Sequence, residues 1–310
     1  EIFTVSGQPH TLGAFFVLNH RRPLDLGVPP VGAVARRAHE EGALIELDKH
    51  NWPWSMALVP VLPVDLFELS NNHVWRTTFA FRDFGEPPAA FMAVERDAQG
   101  FTERGWIEFG MQNYYTLLDC GFRLRPTAGT ASGVHPVPLG FGRVYVHLPE
   151  EFDAAAWLRG LDAGRSFVTT GPMLLVTLDG QDPGHHFEPS GERQRYHLDG
   201  SALSAQPLGR IEIVVNGAVA RTIEPTNRPT EHGACENPID VDVPIEGTSW
   251  LAVRVFENRP DGRVRFAHSA PWHIDVPGRP LRPRREEVEY LIRRVEEQLK
   301  DGTRRTVRVR

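Results

Sequence analysis

Leu124-Arg125-Pro126-Thr127-Ala128-Gly129-Thr130-Ala131-Ser132-Gly133-Val134-His135 is the stretch on which the reading of the fold turns. An extended, apolar pattern at Phe122–Leu124 runs into a tail of small and polar residues. Two earlier segments have the same form. Ala43-Leu44-Ile45-Glu46-Leu47-Asp48 runs into Lys49-His50-Asn51-Trp52-Pro53-Trp54, and Val64-Asp65-Leu66-Phe67-Glu68-Leu69-Ser70 runs into Asn71-Asn72-His73. Repeated apolar strands with polar ends, separated by helical patterns, imply parallel strands whose carboxyl ends converge on one face.

Working outward, Ala14–Leu18 reads as a buried strand and Val31 to Glu41 as a helix that Gly42 ends. Ile107, Phe109, Met111, Tyr114, Leu117 and Leu118 mark a helix over 107–120, closed by Gly121. Arg143–His147 is a further strand, and Asp153 is placed to cap a helix from Ala154 to Ala163. A complete eight-stranded barrel takes about 250 residues, so an alternating region that ends near Pro172 predicts later barrel strands only. The chain opens on the extended pattern Glu1-Ile2-Phe3-Thr4-Val5, without initiator Met or signal peptide. The expectation is a processed or truncated product, with an upstream segment or second chain completing the barrel and export as one option.

After Pro172 the texture changes to short Val- and Ile-rich runs divided by turns. They fall at 173–178, 195–198, 211–215, 218–223, 239–243, 250–256 and 272–276. Asn216-Gly217 between two of them is a hairpin signal, because both residues tolerate the left-handed region. The expected class is therefore α/β: residues 1–172 as the strand–helix region, 173–276 as an antiparallel β-sandwich, and 277–310 as a linker and terminal helix. That helix carries an apolar stripe of Val288, Leu291, Ile292, Val295 and Leu299, which must pack on something.

The 310 residues, 41% hydrophobic and 24% charged, suffice for a real core and two domains. A net charge of -6 argues against a nucleic-acid binder, and no apolar run is long enough to span a bilayer. Cys120 falls in an apolar helical pattern, as a buried thiol would; a disulfide to Cys235 is the alternative.

The residue types at the strand ends carry the chemistry. Asp48 and His50, two apart in an extended chain, project to one side and could offer a carboxylate and an imidazole to one divalent ion; the alternative is a loop pair bonded to local backbone. Trp52 and Trp54 either wall a pocket or fill the core. Glu68 lies among Leu66, Phe67 and Leu69, so it is outward-facing, paired or metal-bound. Asn71 and His73 follow at the same strand end and extend the candidate substrate site. Arg143 is a candidate for an anionic substrate group or a structural arginine. No Walker-type loop, His-Glu-x-x-His or Gly-x-Ser-x-Gly elbow occurs.

In this order the motifs resemble the polymerase and histidinol phosphatase (PHP) superfamily, in the metallohydrolase branch that includes carbaryl hydrolase. The matching stretches are Glu1-Ile2 to His10, the strand end at His50, Val64–Glu68, Gly129–Ser132, and Gly164-Arg165-Ser166-Phe167-Val168-Thr169-Thr170-Gly171-Pro172. The resemblance implies a distorted seven-stranded (β/α) barrel, two or three divalent ions (zinc, manganese or iron), and a metal-activated water that hydrolyses a phosphoester, carbamate or amide. It further implies Glu1, His10 and His50 as ligands, with Glu68 lining the pocket. Two features depart from the pattern: Ala131 stands where the family has a ligand aspartate, and Gly133 where it has the paired histidine. His135, two residues on, is the residue available to compensate. A non-enzymatic relative holding a sugar or peptide, with Trp52, Trp54 and Trp75 as platforms, is the alternative reading.

Overall fold

The computed structural model describes residues 2–7, 10–22, 31–47, 53–75, 88–130, 137–189 and 195–308. It is a mixed α/β structure in which strand outweighs helix and antiparallel pairing dominates. Among the described residues no helix is long and apolar enough to cross a membrane.

β1 (Ile2–Gly7) and β2 (His10–Leu18) form an antiparallel hairpin, and β2 runs antiparallel to β3 (Leu44–Leu47). From β3 onward the direction holds. β3 is parallel to β4 (Leu66–Ser70), and β4 to β7 (Arg125–Ala128). The order is β1-β2-β3-β4-β7, and among the described residues this sheet does not close on itself. All five residues of β4 are buried, as expected of a strand covered on both faces.

The helices of this region are α1 (Val31–Glu40), α2 (Pro53–Leu58) and α3 (Glu103–Asp119). Pro53 opens α2, where its missing N–H costs nothing. α3 begins four residues before the apolar periodicity does, because the Thr102 side chain accepts the Gly105 N–H at 3.0 Å and caps it. At the other end, Gly121 takes a φ of +90° and the Phe122 N–H reaches the Leu117 carbonyl. Residues 122–124 therefore belong to the helix exit, and strand pairing starts at Arg125, not at Phe122 as the pattern predicts. Phe67 stacks on Tyr114 of α3 at 5.0 Å, so this helix covers one face of the sheet. A small hairpin, β5 (Arg96–Asp97) and β6 (Gly100–Phe101), precedes α3.

The later part of the chain forms two largely antiparallel sheets, with β11 parallel to β19 in the larger one. One has the order β10-β12-β16-β15, made of β10 (Met173–Leu178), β12 (Arg195–Ser204), β16 (Cys235–Pro244) and β15 (Arg228–Pro229). The other runs β11-β19-β17-β18-β9-β8, from β11 (His186–Phe187) and β19 (Trp272–Ile274) through β17 (Ser249–Asn258) and β18 (Val264–Ser269) to β9 (Ser166–Thr169) and β8 (Arg143–Val146). β13 (Leu208–Val215) and β14 (Ala218–Ile223) form the Asn216-Gly217 hairpin on β17, with φ of +47° and +75° at its two turn residues. α4 (Ala154–Asp162) joins β8 to β9, capped by Asp153 at 2.9 Å from the Ala156 N–H.

β8 and β9 belong to the strand–helix region by sequence pattern, yet they hydrogen-bond into the large antiparallel sheet through β18. One hydrophobic core accordingly runs through Phe67, Tyr114 and Trp106 to Val168, Phe256 and Phe266. β18 escapes the sequence pattern because Arg265, His268 and Ser269 interrupt it, although all six of its residues are buried.

The terminal helix α5 (Arg285–Arg308) does pack on its own chain, but by only part of the expected stripe, Leu291 and, half-buried, Val295. Its buried residues are Glu287, Tyr290, Leu291 and Arg294, while Val288, Ile292 and Leu299 stay exposed. Tyr290 is the reason: its ring packs edge-on against Phe91 and its hydroxyl donates to Asn113 Oδ1 at 3.0 Å. An aromatic with a polar handle outweighs the aliphatic stripe in setting the helix rotation. Both cysteines are free thiols, and burial pushes the Cys120 thiol up to about 12.

Candidate functional site

Parallel pairing of β3, β4 and β7 places their carboxyl ends at one edge of the sheet. The register puts Glu46 opposite Leu66 and Glu68 opposite Thr127, so Glu46, Glu68 and Thr127 share a face. Thr127 Oγ1 donates to Glu46 Oε1 across β4, in support of that assignment. The opposite face carries Phe67 and Leu69, packed into the core. Alternation alone thus separates a greasy face under α3 from an acidic face at the strand ends.

Glu68 is 4% exposed, which removes the outward-facing option. It is held close to the chain leaving β7: a Cβ on Gly129 would lie 2.5 Å from Glu68 Oε1. Gly142 closes over the same point, where a Cβ would lie 2.8 Å from the Gly129 carbonyl oxygen and 3.3 Å from Ser70 Oγ. These two glycines are required by close approach, and they let backbone shut down on the carboxylate. The Gly129 N–H donates to the Ser70 carbonyl at 2.8 Å, extending the parallel pairing by one bond.

Beyond Glu68 the chain turns through Asn71 and a short 3-10 segment, Asn72–Val74. Asn71 Oδ1 accepts the His73 N–H at 2.9 Å, which identifies the other side-chain atom as the donor Nδ2. Ser70, Asn71, Asn72 and His73 are each no more than 4% exposed. Yet Ser70 Oγ, Asn71 Nδ2 and Asn72 Nδ2 make no hydrogen bond among the described residues. Buried polar atoms are paired in the great majority of cases, and each orphan costs about 1–3 kcal/mol. Three on consecutive residues, beside a buried carboxylate, are the mark of a site shaped for something other than its own chain. Amide Nδ2 groups only donate, so what they call for is an oxygen acceptor.

The structure therefore brings together Glu68, Asn71 and His73. Arg143 follows Gly142 but is exposed on β8, its guanidinium lying 5.9 Å from the Tyr145 ring, and it is not turned to the cluster. His10 begins β2 on the same side of the sheet. Phe15 pairs with Leu47 at the end of β3, so His10 stands roughly 17 Å further along its strand. Its side chain, like that of Trp54 in α2, is outside the described residues, as are Glu1, Asp48, His50, Trp52 and His135. Trp75 is no open platform: its ring meets Phe141 edge-on at 4.9 Å and two arginines, Arg263 and Arg265, at 5.6 and 5.8 Å.

Sequence reasoning passed over Glu46, Ser70, Thr127, Gly129 and Gly142. Glu46 carried the same signal as Glu68, a carboxylate inside a short apolar strand; the glycines carried none, since close approach is a tertiary property. His39, which reads as an ordinary solvated helix residue, bonds Asp65 at 2.7 Å, and Asp65 also accepts the Ile45 N–H at 2.8 Å. That set ties α1 to the opposite, amino end of β4.

Among the described residues no group of three His, Cys, Asp or Glu side chains is placed to hold a metal ion. Glu68 and His73 are chemically suited to such an ion, a carboxylate and an imidazole, both buried at the strand ends. The amide Nδ2 groups of Asn71 and Asn72 beside them are hydrogen-bond donors.

A second polar cluster lies where α3, β17 and α5 meet, beside a cavity of about 440 Å³ lined by Asp119, Thr248, Arg284 and Glu287. Asp119 accepts the Trp250 indole N–H at 2.7 Å and hydrogen-bonds Glu287, itself 1% exposed. Glu287 accepts from Arg284 three times, from its backbone N–H at 2.8 Å and its guanidinium at 2.6 and 3.1 Å. Burial, then the neighbouring Glu287 charge, raises the Asp119 carboxyl to about 7. Asp119, Thr248, Arg284 and Glu287 each have a partner, so the cluster reads as a latch for the terminal helix.

No family model, no curated protein and no solved structure matches this chain.

Proposed function

We propose that the chain is a PHP-type metal-dependent hydrolase whose cleft is the strand-end cluster around Glu68. The observation that carries this reading is the run of orphaned buried groups, Ser70 Oγ, Asn71 Nδ2 and Asn72 Nδ2, beside a buried carboxylate at the carboxyl ends of parallel strands. Carboxyl ends of parallel strands are where such folds place their chemistry. In this reading the five-stranded sheet is the later part of a distorted (β/α)7 barrel.

Glu1, His10, His50 and His135 would hold the ions by resemblance, with Glu68 at the edge of the ligand set. A bound divalent ion supplies a hydroxide at neutral pH by lowering the pKa of its water. The chain's own part is to bind and orient. Asn71 and Asn72 donate to the acceptor oxygens of a phosphoester, carbamate or amide, in a place from which water is largely excluded. Glu68, held by Gly129 and Gly142, accepts a proton or a hydrogen bond from the attacking water.

The test is metal analysis of the purified protein, followed by turnover of p-nitrophenyl phosphate, an aryl carbamate and an anilide after reconstitution with zinc, manganese or ferrous ion. Glu68→Gln should abolish turnover without loss of fold. No bound metal and no turnover of any substrate would reject the proposal.

A second reading, a binding module without catalysis, is favoured by one specific feature: Ala131 where the family has a ligand aspartate. Saturable binding of an oligosaccharide or peptide, lost in Asn72→Leu and unaccompanied by turnover, would establish it.

A further inference from the structure

The β-sandwich contains a cavity of about 410 Å³ that is separate from the strand-end cluster. It opens where the two sheets part, between the edge strands β8 and β10. One wall is a pair of stacked rings, Tyr145 and Phe167, with centroids 5.3 Å apart and planes 12° from parallel. Facing them, Leu174 and Val176 point inward from β10 and are buried, while Leu175 at the rim is 53% exposed. The volume falls in the range of small-molecule pockets, and the lining has their usual character, apolar walls with few polar groups.

Besides the Tyr145 phenol, three side chains that can carry charge near neutral pH line this cavity: His147, Arg165 and Asp182. Two are spoken for by each other, His147 Nδ1 lying 2.8 Å from Asp182 Oδ2. Arg165 is different. Its Nε is buried and makes no hydrogen bond, and no ion pair to it is present among the described residues. A guanidinium beside an apolar wall, with a desolvated N–H and no acceptor, is a cost that the fold does not recover by itself. The partner it is shaped for is planar and anionic, since the guanidinium fork matches a carboxylate in both geometry and charge. With one uncompensated cation and Asp182 nearby, a single negative charge suits the site better than the double charge of a phosphate ester.

We propose that this cavity is a binding site for a small amphipathic monocarboxylate, its aliphatic or aromatic body between Tyr145–Phe167 and Leu174–Val176 and its carboxylate on Arg165. Charge complementarity commits the site to this occupant over an extended peptide added to the edge of β8 or β10. Such a peptide would draw its affinity from main-chain hydrogen bonds and be indifferent to Arg165.

The experiment titrates the full chain, carrying labelled Met, Leu and Val methyl groups, with octanoate, 1-octanol and octylammonium while the methyl resonances are followed. Octanoate should shift Met173, Leu174 and Val176 saturably, and should bind at least about tenfold more tightly than 1-octanol because only it pairs with the guanidinium. Octylammonium should not bind. Arg165→Gln, which removes no side-chain hydrogen bond or ion pair seen among the described residues, should keep the melting temperature, weaken octanoate to the level of 1-octanol and leave 1-octanol unchanged. Equal affinity of the wild type for octanoate and 1-octanol would overturn the proposal. So would the absence of saturable shifts at those methyls, or an octanoate preference that survives in Arg165→Gln.

Discussion

Two regions of this molecule bury polar groups to the same depth and treat them in opposite ways. Where α3 docks on the sandwich, a set of buried polar groups has found partners, although Arg104 Nη1 on the same helix has none among the described residues. Arg254 Nε donates to Glu212 Oε2 at 2.6 Å, and Tyr115 and His268 share a hydrogen bond at 2.8 Å. His268 lies 2.7 Å from the Ser269 carbonyl through Nδ1, which must therefore carry the proton and leaves Nε2 to accept from Tyr115. Its imidazole is pushed down to about 3, chiefly by burial, so it stays neutral. At the carboxyl ends of β3, β4 and β7, by contrast, Ser70, Asn71 and Asn72 are as buried and leave side-chain atoms unpaired. Pairing marks groups that hold the structure together; unpaired buried groups carry a desolvation cost that the fold itself does not recover.

The comparison can be broken most forcefully at the docked interface. Arg254→Met removes the shorter of two arginine contacts to buried Glu212, leaving Arg210 at 3.2 Å, and unfolding by denaturant should show a loss of about 3 kcal/mol. A loss under about 1 kcal/mol would mean that the pair behaves like a surface ion pair and that the contrast is mistaken.

Next in size is the Asp119 latch, which should show itself through pH. Asp119 holds its proton to about 7 when folded, against an ordinary 3.8. Its contribution to stability is therefore whole below pH 3.8 and is lost progressively as the pH rises to about 7. Asp119→Asn preserves both the Trp250 acceptor and a donor toward Glu287 while removing the titration. It should be more stable than wild type at pH 7 by on the order of 2 kcal/mol, with the difference vanishing near pH 4. Chemical denaturation of the two proteins from pH 4 to 8 reads this directly, and parallel curves would refute the shared proton.

A smaller effect sharpens the same point at a helix end. Thr102→Ala removes the α3 cap and should cost about 1 kcal/mol by thermal or denaturant unfolding. Smallest is Ser70→Ala: deleting a buried hydroxyl that bonds nothing should leave stability within about 0.5 kcal/mol of wild type or raise it. A loss of 1 kcal/mol or more would show that Ser70 Oγ is paired in solution. Read together, Arg254→Met and Ser70→Ala test whether depth of burial or pairing governs the cost.

Legibility followed the range of the forces involved. The helices at 31–40 and 154–162, the Asp153 cap and the Asn216-Gly217 hairpin were readable because each depends on residues within one turn of one another. The start of β7 was misplaced by the exit of α3, and β18 was overlooked because Arg265 and His268 look like surface residues until Phe141 and Tyr115 are set against them. In the candidate site, Glu68, Asn71 and His73 could be picked out as polar residues at an apolar strand end. That Glu46 shares their face required the register of β3 on β4.

What the chain determines by itself is the succession of its parts: strand–helix alternation, then hairpin-linked strands, then a linker and helix. Periodicity, caps and left-handed turn residues act over a few positions and need no partner from afar. Only the tertiary structure decided which polar residues would be satisfied. It set Gly129 and Gly142 against Glu68, turned α5 onto Tyr290 in place of most of its aliphatic stripe, and joined β8 and β9 to β18. Those outcomes depend on which surfaces meet between segments far apart in the sequence, where burial and desolvation, not local propensity, set the energy.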